Sequence, residues 1–161
     1  RDPVRGPAER SQIVRLKQHE PLGGREPLAG DRLVEDVVDV AVTHRITGLI
    51  ATNTTLSREG LTLDPRQDGG LSGKPLTETA NQVMAHLFSN VPNHMILIGA
   101  GGIFSPQDAY DRIAAGAHLC QIYTGWIYGG PQTVPRLLEG LLQKMENDGV
   151  RSLDDLRGAT V

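Results

Sequence analysis

The chain has 161 residues and a mass of 17.4 kDa, enough to bury a core without disulfide or metal staples. Apolar residues make up 39% and charged residues 22%, and a formal net charge of -3 with scattered arginines offers no general affinity for nucleic acid or anionic lipid. The single cysteine, Cys120, excludes an internal disulfide and a thiolate metal cluster, and no run approaches the ~18 apolar residues of a membrane span.

Residues 1–30 hold Pro3, Pro7, Pro21 and Pro27 with Gly6, Gly23, Gly24 and Gly30, and Ile13-Val14-Arg15-Leu16 is their one apolar patch. This composition predicts a divergent, irregular segment with at most one short helix. Asp31 is a capping residue for a helix carrying Leu33, Val37, Val40 and Ala41 on one face. Gly48 to Thr52 reads as a short buried strand, followed by an irregular stretch from Asn53 to Pro75. A second helix carries Leu76, Ala80, Val83, Met84, Leu87 and Phe88, and a second strand, Met95 to Ile98, runs into Gly99-Ala100-Gly101-Gly102. The third helix is punctuated by Ser105 as N-cap, Pro106 at N1, Asp108 at N3 and Gly116 beyond its end. His118 to Tyr123 is a third strand. A fourth helix has the stripe Leu137, Leu138, Leu141 and Leu142, and Ser152 opens a short final helix. Strands alternating with helices predict an α/β fold with a parallel sheet, either doubly wound or part of a (β/α)8 barrel.

In both architectures ligands meet the loops at the strands' carboxyl ends. Those loops are Thr52-Asn53-Thr54-Thr55, Gly99-Ala100-Gly101-Gly102 and Tyr123-Thr124-Gly125, all offering small residues, hydroxyls or backbone N–H groups. Gly101-Gly102 lets backbone approach a phosphate, with the Ser105-capped helix pointing its positive end at the same loop; a tight turn with no ligand is the plainer alternative. Asn53 suits a heterocycle or amide edge, or else an Asx turn. The 53–75 loop exceeds the ~12–15 residues usual in compact domains, as a binding loop or a disordered one does.

Other signatures fail. Gly99 to Phe104 lacks the last glycine of the dinucleotide fingerprint, and Gly73-Lys74 is followed by Pro75 rather than a P-loop hydroxyl. His19, His44, His86, His94 and His118 have no metal-ligand spacing. Cys120, mid-strand, reads as a buried inert thiol. Trp126 and Tyr128 can cover a ligand ring or pack at the core's edge, and Asp154-Asp155 are helix-start charges.

Four motifs in order carry a resemblance over residues 31–161: Gly48 to Thr55, Gly69 to Leu76, Ile98 to Ile103 leading to Ala114-Ala115-Gly116-Ala117, and Gln121 to Gly125. The ordered set resembles the C-terminal half of dihydroorotate dehydrogenase, in its quinone-dependent, membrane-associated class. The resemblance implies the C-terminal portion of a TIM barrel, about three β-α units plus a preceding helix. It implies FMN as cofactor, dihydroorotate oxidised to orotate in pyrimidine synthesis, and a quinone as electron acceptor. By matched position Thr52 contacts the flavin, Asn53 and Thr54 the orotate, Gly73 and Gly102 lie against FMN, and Tyr123 and Thr124 meet its phosphate.

The family's serine base, its membrane-associating N-terminal helices and its first strands have no counterpart here. Aligning Pro27 leaves Gly24 where the family has a flavin-contacting lysine. The resemblance implies a peripheral membrane place on the cytoplasmic face for full-length members. For this chain it leads us to expect a cytoplasmic, inactive fragment prone to self-association of half-barrels. A non-catalytic FMN- or phosphate-binding module and a degraded remnant are the alternatives. A barrel typically takes ~250 residues, so 161 is short for this fold.

Overall fold

The computed structural model describes residues 13–15, 28–58 and 68–161. The elements are β1 (Ile13–Arg15), α1 (Leu28–Thr43), β2 (Gly48–Ala51), a 3-10 turn (Lys74–Leu76), α2 (Thr77–Asn90) and β3 (Ile96–Ala100). There follow α3 (Pro106–Ala114), β4 (Leu119–Gln121), α4 (Thr124–Gly129), α5 (Thr133–Asn147) and α6 (Leu153–Leu156). The four strands form one sheet in the order β1-β2-β3-β4, every neighbouring pair parallel.

Two expectations need correction. α1 starts at Leu28, so Asp31 lies inside the helix rather than capping it, and residues 28–30 are helical. The Ile13–Arg15 patch is neither irregular nor helical; it is a strand, paired with β2 in the register Ile13↔Gly48 and Arg15↔Ile50. Two β-branched residues at an apolar position suit a strand, and the partner that makes it one lies 35 residues away in sequence, Gly48 against Ile13. The sheet thus has four strands where three were expected. Gly24 and Pro27 lie outside the described residues.

Alternation along the strands sorts their side chains onto two faces. Leu49, Ala51 and Leu97 are fully buried among Val38 and Ala41 of α1, Met84 and Leu87 of α2, and Ala117. A second cluster joins Ile113 and Ala114 of α3 to Leu141 and Met145 of α5 and Leu156 of α6. Two predicted helix stripes are wider than the buried ones. Val40 on α1 and Leu138 and Leu142 on α5 are exposed, because among the described residues no element covers those sides. The opposite sheet face carries a row, Arg15–Ile50–Ile98–Leu119, and beside it Ile13 and Ile96. No described helix lies over that face.

Candidate functional site

Because all strands run the same way, their carboxyl ends share one rim. A cleft of about 310 Å3 opens there. Its lining brings together the residues to which the resemblance gives a flavin or substrate role: Thr52, Asn53, Thr54, Gly73, Gly102, Tyr123 and Thr124. Arg15, Gln121 and Leu76, which sequence reasoning did not single out, also border it. Tyr123 is at its margin, 78% exposed. Trp126 and Tyr128 are exposed on α4 and outside the lining, so neither covers the cleft nor packs into the core.

Thr52 sits just past β2, its amide donating to the Ala100 carbonyl at 2.9 Å. The residue is 2% exposed, and its Oγ1 has no hydrogen-bond partner among the described residues. A buried hydroxyl left unpaired is costly, and this one belongs to a residue that lines the cleft.

The glycine loop after β3 is held from behind. Gly101 has φ 93 and Gly102 φ 74, two successive left-handed residues that favour glycine. Thr77 Oγ1 donates to the Gly102 carbonyl at 2.7 Å, and a Cβ on Gly102 would fall 2.5 Å from Thr77 Cα. The amides of Gly101, Gly102 and Ile103 have no acceptor among the described residues, the donor arrangement that suits an anion.

The third helix begins as the sequence predicts, with Ser105 Oγ accepting from the Asp108 amide at 3.2 Å. Asp108 Oδ2 accepts from the amides of Phe104 at 3.0 Å and Ser105 at 2.9 Å, and Lys74 Nζ donates to Oδ1 at 2.6 Å. Burial opposes the Asp108 charge, but Lys74 and these amides outweigh it and hold the carboxyl below its usual 3.8. The consequence corrects an expectation: the positive end of α3 is answered by its own capping carboxylate. The free donors at the cleft are the glycine-loop amides instead.

The 53–75 loop is tied to the same rim. Thr55 and Leu71 exchange two backbone hydrogen bonds, of 3.1 and 2.6 Å, which close its neck. Arg58 Nη2 donates to the Gly69 carbonyl at 2.6 Å. Thr124 Oγ1 donates to Ser72 Oγ at 3.1 Å, joining the loop to α4 beside Gly73. Gly73 has φ 94, and a Cβ there would come within 3.2 Å of Thr124 Cγ2.

Cys120 lies on an open sheet edge, yet its Sγ turns under α3 toward the Ala109 carbonyl. Burial of the sulfur pushes the thiol up to about 11, Arg112 opposing, so it is an inert thiol on an exposed residue. His118 is at the far end of the strands, its Nδ1 accepting from the Leu97 amide at 3.1 Å. Among the described residues no group of His, Cys, Asp or Glu is arranged to hold a metal ion. No helix there is long and apolar enough to cross a membrane.

The family model described as dihydroorotate dehydrogenase matches residues 26–145. The chain belongs to the dihydroorotate dehydrogenase family. It is 44% identical over 132 residues to a dihydroorotate dehydrogenase (quinone) of Gloeobacter violaceus, covering 82% of this chain and 37% of the relative. A protein of the same name from Thermus thermophilus is 45% identical over 134 residues, covering 83% and 38%. Among solved structures, ligand-free dihydroorotate dehydrogenase from Eimeria tenella superposes with a TM-score of 0.76 at 34% identity, covering 83% of this chain and 38% of that one. The same enzyme in complex with ferulenol gives 0.75 at 35% identity, covering 81% and 35%. The chain thus spans under two fifths of the dihydroorotate dehydrogenases it matches, and its four parallel strands with their helices are a fragment of that barrel fold.

Proposed function

We propose that the cleft seats FMN and the pyrimidine substrate of dihydroorotate oxidation, and that this chain by itself is catalytically silent. One observation carries the reading: in a chain of this family, the buried Thr52 hydroxyl and the glycine-loop amides without an acceptor among the described residues belong to residues that line one cleft. The donor set fits the cofactor. Gly102 and the amides beside it, with Tyr123 and Thr124, hold the phosphate; Thr52 and Gly73 lie along the flavin; Asn53 and Thr54 present amide and hydroxyl groups to the substrate. Bound FMN supplies the two-electron acceptor, which a quinone reoxidises. The Thr55–Leu71 pairing fixes the backbone next to Asn53 and Thr54, both of which line the cleft.

We assign the role of the serine base to none of the described residues. General base catalysis is worth ~10²–10⁴-fold, so flavin reduction by the chain alone falls by at least that factor. Where the chain occurs alone, its uncovered Ile13, Ile96 and Leu119 face pairs two copies. A peripheral membrane place follows for full-length members only.

The test is to titrate the purified chain with FMN, then add dihydroorotate and a quinone. Quenched flavin fluorescence without turnover is expected. Turnover should return when the chain is complemented by the preceding part of the Thermus relative. Turnover by the chain alone at full-length rates contradicts the silence, and no flavin binding contradicts the cofactor assignment. Binding that complementation never converts to turnover favours a non-catalytic FMN-binding module.

A further inference from the structure

Arg112, on α3, is the largest fully buried side chain among the described residues, and the ion pairs found among those residues involve Lys74, Lys144 and Arg157 but not Arg112. Its Nε donates to Asn81 Oδ1 at 2.6 Å. Nη1 donates to the Ala100 carbonyl at 3.2 Å, and Nη2 to the carbonyls of Gly101 at 3.0 Å and Thr77 at 3.4 Å. Its stem lies against Gly99, where a Cβ would come within 2.5 Å of both Cγ and Cδ. The first glycine of Gly99-Ala100-Gly101-Gly102 therefore serves the arginine rather than a ligand.

The geometry has a direct consequence. In a trans peptide the N–H points opposite the C=O of the same unit. Arg112 draws the Gly101 carbonyl toward the helix layer, which turns the Gly102 amide away from it. Thr77 does the same to the Gly102 carbonyl and so turns the Ile103 amide. The guanidinium stays ionised at neutral pH although burial lowers its pKa. Asp108, the carboxylate whose charge acts on it, is already engaged by Lys74.

We propose that Arg112 is the positioning residue of the anion seat: a buried cation that orients the glycine-loop amides from behind and leaves net positive charge beneath them for a phosphoester dianion. This rests on the cofactor reading above, and the experiment separates the two. Wild-type chain, R112M, R112K and T77V are each titrated with FMN, riboflavin and inorganic phosphate, with circular dichroism to confirm folding.

R112M should weaken FMN and phosphate binding roughly ten- to hundred-fold, as loss of charge-assisted hydrogen bonds does, while riboflavin changes less than about two-fold. R112K, which keeps the charge but loses the fork, should fall between. T77V removes the hydroxyl that lies 2.7 Å from the Gly102 carbonyl and 2.8 Å from that of Lys74, keeps the guanidinium, and should shift FMN by several-fold with riboflavin unmoved. If R112M does not fold, R112K and T77V decide. Folded variants with an unchanged FMN-to-riboflavin ratio overturn the inference. A wild-type chain that binds phosphate but not FMN overturns the cofactor reading alone, and the phosphate series then tests Arg112. Binding of neither ligand overturns both.

Discussion

The two faces of the sheet are built from the same strands and end in opposite states. Leu49 and Leu97 are fully buried beneath α1 and α2, while Ile13 is 54% and Leu119 58% exposed on the other side. Strands such as Ile96-Leu97-Ile98 carry apolar residues on both faces, the composition of parallel strands buried on both sides. The helix face is a finished core. The other face is the inner wall of a barrel, and the cleft opens at its upper rim.

The contrast is broken most readily by truncating one residue on each face. Leu97→Ala should cost ~2–5 kcal/mol in urea unfolding, the usual cavity cost. Leu119→Ala should cost under ~0.5 kcal/mol in a monomer, as exposed substitutions do. Equal losses at concentrations low enough to leave the chain monomeric would mean that the face is covered within one copy; at higher concentration sedimentation velocity should show a dimer that Leu119→Ala dissociates.

Gly99→Ala on the helix side forces a methyl against the Arg112 stem and should cost ~1–3 kcal/mol, read by the same unfolding curve. Asp108→Ala should cost ~1–2 kcal/mol by freeing the Phe104 and Ser105 amides. Its pH dependence has a definite sign. A carboxyl whose folded pKa is depressed contributes stability that is whole above its ordinary value of 3.8 and is lost as pH falls through the lower folded value. The wild type should therefore lose more thermal stability than Asp108→Ala on acidification below that value. The smallest effect concerns Cys120: with its thiol pushed up to about 11, iodoacetamide at pH 8 should alkylate it many times more slowly than it does a free thiol. Denaturant should remove that protection.

The legible parts of the chain were those whose physics is local. Ser105, Pro106 and Asp108 announce the start of α3 within four residues, and the structure shows that capping box in full. The strand ends and the glycine loop were equally plain, and their residues do meet at one cleft. β1 escaped notice because three residues among prolines and glycines become a strand only through a distant partner. Val40, Leu138 and Leu142 read as core because periodicity says which side can be buried, not whether a neighbour exists to bury it. Arg112 escaped because its acceptors come from positions 77, 81, 100 and 101. One signal was available: Asp108 and Arg112 recur at i, i+4 beside the inward Ala109 and Ile113, marking charged residues on a buried face.

The central claim is that the cleft at the strand ends seats the FMN phosphate on the glycine loop. Amide NMR of the chain, titrated with FMN and then with riboflavin, addresses it most directly. The account predicts that FMN shifts the Gly102 and Ile103 amides strongly and that riboflavin, lacking the phosphate, leaves them nearly in place. FMN binding that moves neither amide, or that moves His118 and Phe88 at the opposite end of the strands, would contradict it.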